Sequence, residues 1–164
     1  MTAAPEPQAG DAVEVAVVGA GQAGLAMGYF LQQQQQRGRF VILERADEVA
    51  PAWRDRWDSL TLFTPRRYSA LPGLPFPGDP DAYPTRDDVV AYLERYVQEL
   101  DLPVELESDV TRLAPGGGNG FHLELAGGRT LAAGQVVAAT GPFQTPYVPA
   151  VAQRLSVFQT HAVG

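Results

Sequence analysis

The 164-residue sequence contains no cysteine. This absence excludes disulfide bonds, zinc sites with cysteine ligands, iron–sulfur clusters and thiol catalysis. No apolar run approaches the length of a membrane span, and the N-terminus has neither the basic start nor the apolar core of a signal peptide. We expect residues 1–12 to be a disordered tail, because they are rich in Ala, Pro, Glu and Gln. We also expect a cytoplasmic protein with no membrane partner.

Positive charge is scarce as well. The sequence has 12 basic residues, all arginine and scattered, against 19 acidic ones, and its net charge is −7. This balance argues against a nucleic-acid partner or an anionic membrane surface, and we predict no metal site. A hydrophobic fraction of 45% and a charged fraction of 19% are ordinary for a globular protein. We therefore predict one domain over residues 13–164.

The most informative pattern lies in residues 13–44. A run rich in valine, Val13 to Val18, predicts a strand buried on both faces. A glycine turn follows at once, then a helical pattern starts at Gln22, and a second apolar run ends in Glu44. The turn has the sequence Gly19-Ala20-Gly21-Gln22-Ala23-Gly24. Strand, glycine turn, helix, strand and acid in this order form the dinucleotide-binding fingerprint.

Each part of the fingerprint has a physical role. Gly19 allows the tight turn, Gly21 lets a pyrophosphate approach the backbone, and Gly24 lets the helix pack closely on the sheet. The unpaired N–H groups and positive dipole end at the helix N-terminus favour the phosphates. Glu44 lies where a carboxylate usually accepts hydrogen bonds from a ribose. After the helix, the glutamines at 32–36 predict a solvated last turn closed by Gly38.

Residues 45–84 lack periodicity and are rich in proline and aromatic residues. We predict an ordered, lid-like loop whose aromatic residues pack over a ligand, although they could instead anchor the loop to the core. The aromatic residues are Trp53, Trp57, Phe63, Tyr68, Phe76 and Tyr83.

The rest of the sequence predicts more of the same sheet. Thr85 is expected to cap a helix that reaches about Leu100, and a strand should follow over residues 102–106. Residues 110–131 predict a three-stranded antiparallel meander. Residues 135–140 predict another buried parallel strand, which would bring Thr140 and Gly141 back to the glycine turn. The predicted fold is an α/β, Rossmann-like parallel sheet with helices plus this meander.

Several motifs in one order resemble the class B flavin monooxygenases, especially bacterial flavoproteins of that group and plant YUCCA-like enzymes. The resemblance spans about residues 13–161. It is carried by the glycine turn and by segments 43–45, 53–65, 71–77, 83–85 and 137–141.

The resemblance implies FAD as cofactor. Gly19, Gly21 and Gly24 would hold its pyrophosphate, and Glu44 its ribose. Further residues implied by position in the motif are Arg45, Trp53, Arg54 and Leu62 along the cofactor, Val110 at the adenine side, and Thr140 with Gly141 closing over it. In such enzymes NADPH reduces the flavin, which captures O₂ as a hydroperoxide and oxygenates a small organic substrate. The resemblance identifies no catalytic acid or base.

Three departures from the family pattern matter. Ala50, Pro51 and Ala52 stand where glycines are usual before the tryptophan, and Pro51 brings no N–H. Residues 158–161 match the monooxygenase fingerprint only loosely, with Thr160 in place of a glycine. No second glycine loop for NADPH follows within the 164 residues. We therefore expect the N-terminal part of a longer two-domain fold, completed by a missing C-terminal half or a partner chain.

Two alternatives remain open at the level of sequence. The chain could be a non-catalytic dinucleotide-binding fragment that is inactive or acts only with a partner chain. It could also be a nicotinamide-binding Rossmann domain, since Glu44 suits the ribose of NAD or of FAD. The predicted meander and the Ala139-Thr140-Gly141 turn favour FAD.

Overall fold

The structure is a computed structural model that describes residues 12–34, 39–142 and 149–151. The first 11 residues, Gly38 and residues 158–161 lie outside these ranges. The elements in order are β1 (Ala12–Val18), α1 (Gln22–Gln33), β2 (Phe40–Leu43), α2 (Pro51–Arg54), α3 (Arg66–Ser69), α4 (Arg86–Glu99), β3 (Val104–Glu105), β4 (Val110–Pro115), β5 (Phe121–Leu125), a 3₁₀ turn (Ala126–Gly128) and β6 (Thr130–Ala138).

The six strands form one mixed sheet in the order β3-β2-β1-β6-β5-β4. β1 pairs in parallel with β2 and β6, β2 pairs in parallel with β3, and β4, β5 and β6 are antiparallel neighbours. The predicted parallel sheet with a three-stranded meander is therefore confirmed.

β6 corrects the prediction of two separate strands at residues 130–131 and 135–140. It is continuous: Thr130–Ala133 pair with β5, and Ala132–Ala138 pair with β1. Gly134 looks like a break in the sequence, but a Cβ there would lie 3.0 Å from the Glu14 carbonyl oxygen. The glycine thus permits close approach of the neighbouring strand, and one strand joins the meander to the parallel sheet.

The central strands are covered on both faces. Val15, Val17 and Ile42 pack with α1 and α4 on one face, whereas Ala16 and Val41 pack against the meander on the other. Successive residues of a strand point to opposite faces, so a strand covered on both sides must be apolar throughout. This explains the valine-rich run that marked β1 in the sequence.

Helix α4 agrees with its predicted start and end. Thr85 and Asp88 form a reciprocal capping box, and Leu100 is the C-cap. The side chain of Gln32 donates to the Leu100 and Asp101 carbonyl oxygens at 2.9 and 3.0 Å. The glutamine run is therefore not simply solvated, because Gln32 joins α1 to the end of α4. Among the helices of the described residues, none has the length and apolar character that a membrane crossing requires.

Two tyrosines of α4 hold the loop of residues 45–84. The Tyr92 hydroxyl donates to the Leu74 carbonyl and accepts from the Leu71 N–H, both at 2.7 Å. Tyr96 donates to the Pro72 carbonyl. Burial raises the pKa of Tyr92 above its ordinary value. The loop is thus ordered by bonds to its backbone.

Replacing Tyr92 by phenylalanine should therefore destabilise the chain. It leaves a partly buried N–H and a carbonyl without their partner, and we expect a loss of about 1–3 kcal/mol in the free energy of unfolding. Urea denaturation followed by circular dichroism measures this loss. The control is Tyr68→Phe, because the Tyr68 side chain is 74% exposed. Equal midpoints for the two variants would contradict the assigned role.

Candidate functional site

A cavity of about 680 Å³ opens at the carboxyl ends of the parallel strands. The last residues of β1, β2 and β6, namely Val18, Leu43 and Ala138, form its floor. In an open α/β sheet this edge is where ligands bind. Its walls are residue 19 and residues 21–23 of the glycine turn, residues 44–45, residues 50–53 with residues 55–56, residues 108–110 and residues 139–142.

The three glycines of the turn have different roles. Gly19 has a φ of 106°, and a Cβ there would lie 2.5 Å from the Ala139 carbonyl oxygen. A Cβ on Gly24 would lie 1.9 Å from the Gly19 carbonyl oxygen. Gly21 has a φ of −78°, and nothing lies within 4 Å of its Cβ position. Gly19 and Gly24 are therefore needed by the fold, whereas Gly21 leaves space in the cavity.

The N-terminus of α1 supplies backbone donors to this space. Gly21 is the N-cap without a side-chain capping bond, and the first turn holds no acidic residue. The first intrahelical bond runs from the Leu25 N–H to the Gly21 carbonyl, so the preceding amides have no intrahelical acceptor. Gly21, Gln22 and Ala23 line the cavity. Uncapped amides at the positive end of a 12-residue helix suit an anion.

Glu44 provides the acidic group opposite this turn. It is only 6% exposed, yet it lines the cavity. Its Oε2 accepts from the Ala20 N–H at 2.9 Å, and its Oε1 accepts from the Ala46 N–H at 3.2 Å. An ionised carboxylate offers about four acceptor positions. Two therefore remain for hydroxyl groups of a ligand.

The structure brings most of the predicted site residues together. Those that line the cavity are Gly19, Gly21, Gln22, Ala23, Glu44, Arg45, Trp53, Val110, Thr140 and Gly141. Four others lie outside the lining. Ala20 and Gly24 belong to the turn but are buried, and Leu62 packs against the hydrophobic core. Arg54 donates to the Val49 carbonyl and forms ion pairs with Glu48 and Glu94. A direct cofactor contact for these residues stays a prediction.

The aromatic residues of the loop do not pack over the cavity as expected. Trp53 lines it, but Phe76 stacks on Tyr92 in the core at 4.3 Å between ring centroids. The other four are more than half exposed, Phe63 by 94%. Prolines and hydrogen bonds from α4 fix the path of the loop, so its aromatic side chains need not face inward.

Sequence reasoning missed part of the wall after β3. Ser108 and Asp109 line the cavity, and the Ser108 N–H donates to the Glu44 carbonyl at 2.8 Å. A signal was available, since these residues follow the carboxyl end of a predicted parallel strand. That strand spans only Val104–Glu105, shorter than the predicted 102–106. Within the described residues, no group of three or more acidic or histidine side chains could hold a metal ion.

Residues 50–52 form a turn although they lack the glycines that are usual at these positions in the family. Ala50 is fully buried and has a φ of 63°, a left-handed conformation that favours glycine. Its carbonyl accepts from the Trp53 and Arg54 N–H groups. Pro51 is the first residue of α2, where a missing N–H removes no intrahelical bond. Residues 50–52 therefore form part of the cavity wall, and of these three residues only Pro51 cannot donate a backbone N–H to a cofactor.

Comparisons with known proteins show the family of this chain. The chain matches the pyridine nucleotide-disulphide oxidoreductase family over residues 16–163. It is 46% identical over 151 residues to an uncharacterized CzcO-like oxidoreductase of Geobacillus kaustophilus, covering 91% of this chain and 42% of the relative. It is 37% identical over 135 residues to the indole-3-pyruvate monooxygenase YUCCA1 of Oryza sativa, covering 81% and 33%.

A solved structure gives the same result at the level of fold. The flavin-containing monooxygenase from Stenotrophomonas maltophilia superposes with a TM-score of 0.78 at 38% identity, covering 85% of this chain and 41% of that one. The chain thus spans between 33% and 42% of the length of these three proteins. The Rossmann-like FAD-binding fold is confirmed. The chain belongs to the pyridine nucleotide-disulphide oxidoreductase family and corresponds to the N-terminal, FAD-binding region of its flavin monooxygenase-like members.

Proposed function

We propose that this chain binds FAD in the cavity at the strand ends. In the complete enzyme it would serve an NADPH-dependent monooxygenase that oxygenates a small organic substrate. The observation that carries the proposal is the open space at the Gly21 Cβ position, beside the uncapped amides of α1 and opposite Glu44. A pyrophosphate and an adjoining ribose require this combination.

The residues present fit the chemical groups of FAD. The amides of Gly21, Gln22 and Ala23 would hold the pyrophosphate, and the Glu44 carboxylate would accept from the ribose. Val110 and Ser108 would border the adenine, while Trp53, Thr140 and Gly141 would lie along the flavin half. When bound, FAD supplies the redox chemistry. The residues of this chain bind and orient it, and the apolar floor of the cavity excludes water from one side.

NADPH and the organic substrate are proposed for the complete enzyme. The relatives are more than twice as long as the matched region. We therefore assign the NADPH site to polypeptide outside these 164 residues, in a C-terminal half or a partner chain. The indole-3-pyruvate named for the rice relative is one member of the proposed class of small organic substrates.

The alternative is a module that binds a dinucleotide but does not catalyse by itself. Thr140, Gly141 and Pro142, at the proposed flavin end, are exposed. Flavin oxygenation chemistry needs this end of the cofactor closed to water. This exposure favours binding without turnover for the isolated chain.

The first test is the visible absorption spectrum of the chain after incubation with FAD and desalting. Retained flavin bands are expected, and competition by NAD would show which dinucleotide the site prefers. A folded but colourless protein would contradict FAD binding by this chain. Adding NADPH to the flavin-loaded chain should not bleach the flavin, and bleaching would contradict both the purely binding role and the placement of the NADPH site outside this chain.

A further inference from the structure

A buried hydrogen bond joins the glycine turn to the acidic residue after β2. The Ala20 N–H donates to Glu44 Oε2 at 2.9 Å, and both residues are buried. The second oxygen, Oε1, accepts from the Ala46 N–H at 3.2 Å. One carboxylate therefore connects the turn that follows β1 with the turn that follows β2.

The amides of the glycine turn fall into two groups. The Gly19 N–H donates to the Leu43 carbonyl at 2.8 Å, and the Ala20 N–H donates to Glu44. The following residues, Gly21 to Ala23, line the cavity instead. The amides bound within the protein thus fix the turn, and those that follow are free to meet a ligand. The orientation of the Ala20 peptide sets the direction in which the backbone continues into Gly21.

We propose that Glu44 is a positioning residue for the phosphate-binding turn, in addition to its predicted contact with the ribose. The proposal rests on the proposed FAD site and assigns Glu44 a second task within it. The carboxylate holds the Ala20 peptide, which sets the direction of the three amides that follow. Without this acceptor the buried Ala20 N–H has no partner, and the turn must move to find one.

The double contact also explains why a carboxylate is needed rather than an amide. Glu44 accepts from two backbone donors, one at each oxygen. A glutamine has one acceptor oxygen and one donor nitrogen. Either orientation of its amide would set an NH₂ group against a backbone N–H, so Glu44→Gln breaks one of the two bonds although it keeps the size of the side chain.

Two simple ligands separate the positioning task from the ribose task. Inorganic pyrophosphate has no ribose, and adenosine has no phosphate. If Glu44 contacts the ribose alone, Glu44→Gln weakens adenosine only. Removing a negative charge near an anion would then tighten pyrophosphate binding. If Glu44 also positions the turn, pyrophosphate binding weakens in spite of this electrostatic gain.

The experiment is a titration of the whole chain with each ligand, followed by NMR of the backbone amides. For Glu44→Gln we expect pyrophosphate affinity to fall about tenfold, the size of effect produced by one lost buried hydrogen bond. Without ligand, hydrogen exchange of the Ala20 amide should rise by a similar factor. The matched control is Asp47→Asn, which removes the same charge three residues away on an exposed side chain and should change neither quantity.

A second variant tests the same point without changing charge. Glu44→Asp keeps the carboxylate but shortens its reach, so we expect faster Ala20 exchange and weaker pyrophosphate binding here too. This variant also serves if Glu44→Gln does not fold. Unchanged Ala20 protection and unchanged pyrophosphate affinity would overturn the positioning role. Failure of the unaltered chain to bind FAD would instead overturn the proposed function, while protection of Ala20 in the ligand-free chain can still be measured.

Discussion

Replacing Gly21 by valine is expected to weaken FAD binding while leaving the fold intact. Gly21 has an extended backbone that any residue can adopt, and its Cβ position meets nothing within 4 Å. The added side chain therefore meets no protein atom near Cβ but occupies the space proposed for the pyrophosphate. Overpacking of this kind typically costs about 1–3 kcal/mol, which corresponds to a roughly 5- to 150-fold weaker affinity for FAD.

The measurement is flavin fluorescence or absorbance during titration, alongside urea denaturation of the ligand-free protein. Gly117→Val is the matched control, since Gly117 also has open space around its Cβ position but lies in the turn between β4 and β5. The control should retain FAD. Unchanged flavin content in Gly21→Val would refute the placement of the pyrophosphate at this turn.

Replacing Gly24 by alanine should have the opposite profile, with a large loss of stability even without ligand. The new Cβ would lie 1.9 Å from the Gly19 carbonyl oxygen, and a backbone atom cannot rotate away as a side chain can. α1 must therefore move off the sheet. We expect a loss of about 3 kcal/mol or more in the free energy of unfolding, at the upper end of overpacking effects.

Gly28→Ala in the same helix provides the comparison. A Cβ there would lie 2.7 Å from Ile42 Cδ1, the flexible end of a side chain. Relaxation of Ile42, together with the better helix propensity of alanine, by about 0.8–1 kcal/mol, should offset much of the strain. A chemical denaturation series on the ligand-free proteins should therefore place Gly24→Ala well below Gly28→Ala. Equal stabilities would contradict the prediction that contact with the turn backbone is what destabilises Gly24→Ala.

The sequence was informative wherever one local pattern had one physical explanation. The glycine turn could be placed because its three glycines, the preceding valine run and Glu44 have fixed spacing. The capping box at Thr85 and the apolar stripe of α4 likewise depend on contacts within one helix turn or one helix face. These features are local, so neighbouring residues suffice to predict them.

The predictions failed where distant parts of the chain decide the structure. Gly134 looks like a strand break, but its partner Glu14 lies on β1, more than a hundred residues earlier in the sequence. Gln32 was predicted to be solvated because its acceptors, the Leu100 and Asp101 carbonyls, are distant in the sequence. Only the packing of α4 brings them near. Composition alone could not show that Trp53 lines the cavity whereas four other aromatic residues of the loop are exposed.

The sequence by itself determined the dinucleotide fingerprint, with its succession of strand, glycine turn, helix, strand and acid, because this follows from residue type and spacing. The resemblance of its motifs indicated the family. Only the tertiary structure decided which predicted residues line the cavity and which, like Arg54 and Leu62, lie outside its lining. It alone showed that the Glu44 carboxylate holds the Ala20 N–H. The physical reason is that a hydrogen bond between residues on two different strand ends depends on how those strands pair, which no spacing within one segment records.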